Sequence, residues 1–241
     1  MGVAMRARSP EGVHRILAGM PETDTAATIQ LLAAAVIPVL FAIALHETAH
    51  GWAARYFGDH TAEMLGRLTL NPIKHIDPIG TIAMPLVLTL LGLPAFGWAK
   101  PVPVVAANMR NPKRNMIAVA AAGPTSNLLM ALLWAVVFRL MLGWDEPQFG
   151  LRQFLLSMSQ IGIQFNVLLA VFNLIPIPPL DGGRVLRGLL PERYGMKLDA
   201  SERWGLILVM LLLTFGILGR ILLPVMSWFI DLILLLVGID K

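Results

Sequence analysis

Long apolar runs alternate with short polar connections along the chain. The first run, 26–56, is almost unbroken in its apolar character as far as Leu45. The hydrocarbon core of a bilayer takes about 20 helical residues, so this run predicts a membrane helix, with Pro38 as a possible kink point. Runs at 116–142 and 154–174 predict two more spans. Apolar stretches at 204–218 and 221–239 close the chain, either as two helices or as one span with an interfacial tail, with Gly219, Arg220 and Pro224 between them. The run at 79–96 is short and broken by Pro85, Gly92 and Pro94, which suits a segment that dips into the membrane and returns. The connection before it, 57–78, is rich in β-branched and turn-forming residues and predicts short β elements.

The basic residues orient these runs. If 79–96 returns, then Arg55, Arg67, Lys74, Lys100, Arg110, Lys113 and Arg114 share one face, as the positive-inside rule favours. Arg184, Arg187, Arg193, Lys197 and Arg203 mark a second cytoplasmic loop, whereas 143–150 carries Asp145 and Glu146 without a basic residue. Arg6, Arg8 and Arg15 fall on the outer side in this count, against the rule. The expected architecture is an all-α polytopic membrane protein. It is a helical bundle of about five to six transmembrane segments with a re-entrant segment and short β elements in the first cytoplasmic loop. Residues 1–25 form a polar lead-in and 26–241 a single membrane-embedded domain.

Composition agrees. The chain has 241 residues, 56% apolar and 14% charged, against about 25% charged in soluble domains. The net charge of +4 reads as loop orientation and contact with anionic membrane lipid rather than nucleic-acid binding. There is no cysteine, which removes disulfides, thiolate ligands and a cysteine nucleophile and leaves His, Asp and Glu to hold any metal. The first run is longer than a signal-peptide core and leads straight into the chemistry below, so no cleavable signal is expected.

That chemistry is His46-Glu47-Thr48-Ala49-His50, at the end of the first apolar run. Positions i and i+4 share a helix face, so both imidazoles reach one ion, while Glu47 stands beside it as general base for the attacking water. Ionisable groups at membrane depth mark function by default. A catalytic zinc needs a third protein ligand. Asp181 follows the broken segment Pro176-Ile177-Pro178-Pro179 on the same predicted side, although Asp-Gly is equally a turn pair. Spacing leaves both readings open. His60, Glu63, His75 and Asp77 compete for the role and are expected to be turn or capping residues.

Three ordered motifs carry a resemblance. His46-Glu47-Thr48-Ala49-His50-Gly51, Ala121-Ala122-Gly123-Pro124-Thr125-Ser126-Asn127 and Phe172-Asn173-Leu174-Ile175-Pro176-Ile177-Pro178-Pro179-Leu180-Asp181-Gly182-Gly183 are similar to the core motifs of the site-2 protease family, intramembrane zinc metalloproteases. Gly66-Arg67-Leu68-Thr69-Leu70-Asn71-Pro72 and Phe96-Gly97-Trp98-Ala99-Lys100-Pro101-Val102-Pro103 resemble its small branch without PDZ or CBS domain. The resemblance covers 35–190, the core of the metalloprotease domain.

It implies His46, His50 and Asp181 as ligands of one Zn2+ per chain, Glu47 as general base, and Asn173 and Asn127 lining the site for substrate or oxyanion. It also implies a transmembrane-helix protein as substrate and a prokaryotic plasma membrane location, with the site near the cytoplasmic face. A metal transporter or channel would need polar residues along several helices, and 116–142 and 154–174 offer few. An inactive zinc scaffold would have no need of Glu47.

Overall fold

The computed structural model describes residues 25–93, 97–144 and 150–239. The elements are α1 (Thr25–Tyr56), α2 (Thr61–Met64), a 3-10 turn (Pro72–His75), a π-helical turn (Pro78–Ala83) running into α3 (Met84–Leu90), and a second 3-10 turn (Ala106–Asn108). Then come α4 (Pro112–Leu142), α5 (Leu151–Asn173), α6 (Asp181–Leu189), α7 (Glu192–Thr214) and α8 (Ile217–Leu236). The lead-in with Arg6, Arg8 and Arg15 and the acidic Asp145 and Glu146 lie outside the described residues.

The core is a triangle of α1, α4 and α5, each packed on the other two, with α8 against α5 and α4. Its inner surface is made of small side chains. Ala34, Ala42, Ala44 and Ala54 of α1, Ala120, Ala131 and Ala135 of α4 and Ala170 of α5 are buried, whereas Leu32, Leu133 and Leu235 face outward. Lipid tails are as apolar as leucine, so membrane helices associate through close packing of small residues. Gly162 of α5 shows how close: a Cβ there would run into the indole of Trp134 on α4.

Among the described residues four helices, α1, α4, α5 and α8, are long and apolar enough to cross a membrane, a polytopic bundle as expected, with fewer spans than the five to six counted. The difference lies in α7. In α7 the first half carries Glu192, Arg193, Lys197, Asp199, Glu202 and Arg203, and the apolar remainder, 204–214, spans only about 16 Å at 1.5 Å per residue. The segment from 78, expected to re-enter, covers about 20 Å as helix over 78–90. Its two ends meet: Trp98 N–H donates to Gly80 O (3.1 Å), Lys100 N–H to His75 O (2.9 Å) and Thr81 Oγ1 to Trp98 O (2.9 Å). The segment leaves and returns to the same place.

The short β elements expected in the first loop do not form; no described residue is in a strand. Side chains use the backbone groups a strand partner would need. Thr69 O accepts from Thr48 Oγ1 and from His75 Nε2, both at 2.8 Å. Asn71 and Asp77 cap the turns that follow, accepting from the amides of Ile73 (3.1 Å) and of Ile79 and Gly80 (2.9 and 2.7 Å). Turn chemistry outcompeted β propensity here.

Asp59 ties this loop region together. Fully buried, it accepts from Thr61 N–H and Oγ1 (3.1 and 2.5 Å), Val105 N–H (2.6 Å) and Asn108 Nδ2 (2.9 Å). Burial pushes its carboxyl up, but the bonds from Thr61, Asn108 and Val105 outweigh that and hold it below the ordinary value. A group with a depressed folded pKa stabilises above its unfolded value, about 3.9, and loses that contribution as pH falls through the folded one. Replacing Asp59 by Asn turns an amide nitrogen against a backbone donor and should cost about 1–3 kcal/mol at neutral pH. Thermal unfolding in detergent should show this gap closing below about pH 4; a gap independent of pH would contradict the assignment.

Candidate metal centre

His46 and His50 project from one face of α1 and are 5% and 7% exposed. Their Nε2 atoms stand 3.2 Å apart. Asp181, the first residue of α6 and 6% exposed, places Oδ2 3.2 Å from His46 Nε2 and 3.3 Å from His50 Nε2. It is brought there by the turn after α5, where Ile177 N–H donates to Ile175 O (2.8 Å) and Leu180 N–H to Ile177 O (3.0 Å). Gly182 and Gly183 let α6 start against that turn, since a Cβ on either would collide with the backbone of 174–178.

The hydrogen bonds behind the rings fix their orientation and put a proton on each Nδ1. His50 Nδ1 lies 2.7 Å from Val119 O, which only accepts, so Nδ1 carries the proton. His46 Nδ1 lies 2.6 Å from Asn127 Oδ1. The amide orientation is settled by its other end, because Asn127 Nδ2 donates to Ala42 O (3.1 Å) and to Asn166 Oδ1 (3.0 Å). Asn166 is in turn oriented by Nδ2 donating to Gly162 O (2.8 Å). Both rings therefore present Nε2 inward, the nitrogen that serves as a ligand when it carries no proton.

Three potential ligand atoms thus converge, and Asp181 Oδ2 is buried without a hydrogen bond. One cation bound by all three would satisfy them together. Ligand atoms about 2.0–2.1 Å from a tetrahedral zinc stand about 3.3–3.4 Å apart, which matches the 3.2, 3.2 and 3.3 Å edges found. No thiolate is present and the donors are N, N and O, a set suited to zinc with one position open. His46, His50 and Asp181 are the one group of this kind among the described residues.

Glu47 is half-buried beside the triangle, and its Oε2 accepts from Val102 N–H at 3.0 Å. Asn127, expected to line the site for substrate or oxyanion, is fully buried, with both amide hydrogens engaged and Oδ1 accepting from His46 Nδ1. Asn173, at the end of α5, is half-buried, gives Nδ2 to Leu169 O (2.9 Å) and makes no hydrogen bond to the triangle.

The competing loop residues are occupied elsewhere. His60 pairs with Glu63 (2.8 Å), which also meets Arg55 (3.1 Å), and His75 and Asp77 serve the turns described above. Asn166 was not singled out from the sequence, although an amide in an apolar span is a signal. Nor was Gly123 recognised as a floor for the histidines: a Cβ there would press on His50 Nε2 and His46 Cε1.

Fold and site together define a polytopic membrane protein with a buried two-histidine, one-aspartate metal centre. A family model described as peptidase family M50 matches residues 145–217. The chain is 37% identical to "Putative zinc metalloprotease YwhC" of Bacillus subtilis, over 83% of this chain and 88% of that one. It is 32% identical to "Putative zinc metalloprotease Rip2" of Mycolicibacterium smegmatis, over 80% and 71%. With "Zinc metalloprotease MJ0392" of Methanocaldococcus jannaschii it shares 26% identity over 80% and 46%. No solved structure matches. The chain belongs to peptidase family M50 and is a zinc metalloprotease.

The layer behind the ligands should be measurable through the metal. Asn127→Leu should weaken zinc binding about 10- to 100-fold, as loss of a ring-orienting partner does, in a competition titration with a chromogenic chelator. Gly123→Ala should lower zinc per chain in metal analysis of purified protein. Wild-type affinity in the first variant would show that the Asn127–His46 bond does not orient the ligand.

Proposed function

We propose that this chain is an intramembrane zinc endopeptidase acting on peptide bonds in or near transmembrane helices of other membrane proteins. His46, His50 and Asp181 are its zinc ligands, Glu47 is its general base, and 26–241 is a single membrane-embedded catalytic domain. The observation that carries the reading is the acceptor triangle, with Glu47 beside it, set on a helix that is long and apolar enough to span.

When bound, zinc supplies Lewis acidity, polarising the scissile carbonyl and lowering the pKa of the attacking water. Glu47 takes the proton from that water and returns it to the departing amine as the C–N bond breaks. With Oε2 held by Val102 N–H, Oε1 is the oxygen that handles the proton. The Nδ1–H bonds to Asn127 Oδ1 and Val119 O keep both rings oriented through the cycle. Asn173, with one amide hydrogen not used by Leu169 O, is the side chain left to contact substrate or oxyanion. The basic residues of the 55–114 and 184–203 segments favour a plasma-membrane orientation with this end of the bundle on the cytoplasmic side, against anionic lipid.

A helical substrate hides its carbonyls in internal hydrogen bonds, so it must unwind before it can be cut. Purified protein in detergent should cleave single-span substrates carrying helix-breaking residues near the scissile bond faster than stiff counterparts. Glu47→Gln should abolish cleavage while zinc stays bound. Equal cleavage of both substrate classes would sink the intramembrane reading, and full activity in Glu47→Gln would remove Glu47 as the base.

A further inference from the structure

The carboxylate of Glu47 is held by a backbone amide, and that amide belongs to a peptide plane with a second, charged partner. Val102 N–H donates to Glu47 Oε2 at 3.0 Å. The carbonyl of the same plane, Pro101 O, accepts from Arg67 Nη2 at 3.3 Å. The plane thus lies between a guanidinium and a carboxylate. A peptide unit is rigid and planar, and bonds at its two ends polarise one another. A shift of the guanidinium therefore moves the N–H that holds Glu47.

Arg67 is built into that position. Its Nη1 donates to Lys74 O at 2.7 Å and its Nη2 also reaches Lys100 O at 3.0 Å. One planar fork thus spans the loop before the 78–97 excursion and the segment after it. The segment is fastened elsewhere too, by Lys100 N–H on His75 O (2.9 Å) and Val105 N–H on Asp59 Oδ2 (2.6 Å). The Val102 side chain is buried against the face of α1 at Gly51. Pro101 and Pro103 remove neighbouring amides, so no other N–H within one residue of Val102 can take over at Glu47.

We propose that Arg67 is a positioning residue for the reaction: through the Pro101–Val102 peptide it fixes the Glu47 carboxylate where the attacking water must be deprotonated. This rests on the reading of Glu47 as general base; the hydrogen bonds of Arg67 go to the Lys74, Lys100 and Pro101 carbonyls and none to the metal triangle. A lysine cannot replace it, because a single ammonium lacks the fork that reaches three carbonyls.

The test uses the full chain in detergent micelles and a fluorogenic single-span peptide with a helix-breaking centre. Arg67→Ala lowers kcat about 10- to 100-fold, the range expected for a misplaced base, with KM within about twofold and zinc per chain unchanged. Arg67→Lys recovers little, and millimolar guanidinium restores part of kcat to Arg67→Ala. A second readout needs no turnover: hydrogen exchange of the Val102 amide, resolved from those of Lys100, Val104 and Val105, rises at least about tenfold in Arg67→Ala. Unchanged exchange at Val102 overturns the proposal, as does a defect confined to KM or accompanied by loss of zinc. If wild type cleaves nothing, the protease reading of the site fails, and Val102 exchange still decides whether Arg67 holds the peptide that holds Glu47.

Discussion

Two imidazole nitrogens and a carboxylate oxygen are held within 3.3 Å of one another inside a membrane bundle. Buried polar groups without partners are costly, and more so where water is excluded. Much of the structure around the centre can be understood as what is needed to keep those atoms together. Two rings must be locked by their far nitrogens, one to the backbone of α4 and one to an amide that is itself locked. A carboxylate must be returned from the far side of α5 by a turn so close to α6 that glycine is required at two successive positions. A cation at the centre converts this cost into binding energy.

The same constraint explains why polar side chains run inward from the site. Asn127 and Asn166 form a closed chain from His46 Nδ1 to Gly162 O, in which every donor has an acceptor. Such a chain is tolerable in an apolar interior because it is complete, and it carries the orientation of the His46 ring across three helices. The alanines between α1, α4 and α5 allow the backbones near enough for it to close, while leucines are left to the lipid.

The two-histidine half of the site was legible because helical spacing alone puts i and i+4 on one face. Asp181 was not decided by spacing; its carboxylate lies across the bundle, and only the resemblance to a family joined it to the histidines. Asn127 was legible as a site residue, but its bond to the His46 ring was not: whether an amide faces a cleft or a ring depends on the rotation of α4 against α1. Asn166 and Arg67 act through neighbours distant in sequence, and a single chain offers no period or spacing for such links. The first loop misled for a different reason. Its β-branched residues suggested strands, but Thr48, His75, Asn71 and Asp77 claimed the backbone groups. The spans were read from apolar length, and α7 failed the count because its first half is charged.

The most direct measurement is X-ray absorption at the zinc edge on the purified full-length protein. A centre of His46, His50 and Asp181 gives nitrogen and oxygen donors at about 2.0–2.2 Å with no sulfur. Multiple scattering should report two imidazoles, and Asp181→Asn should change the shell without changing the imidazole count. Protein that binds no zinc, or a zinc whose shell contains any number of imidazoles other than two, would contradict the centre on which the account rests.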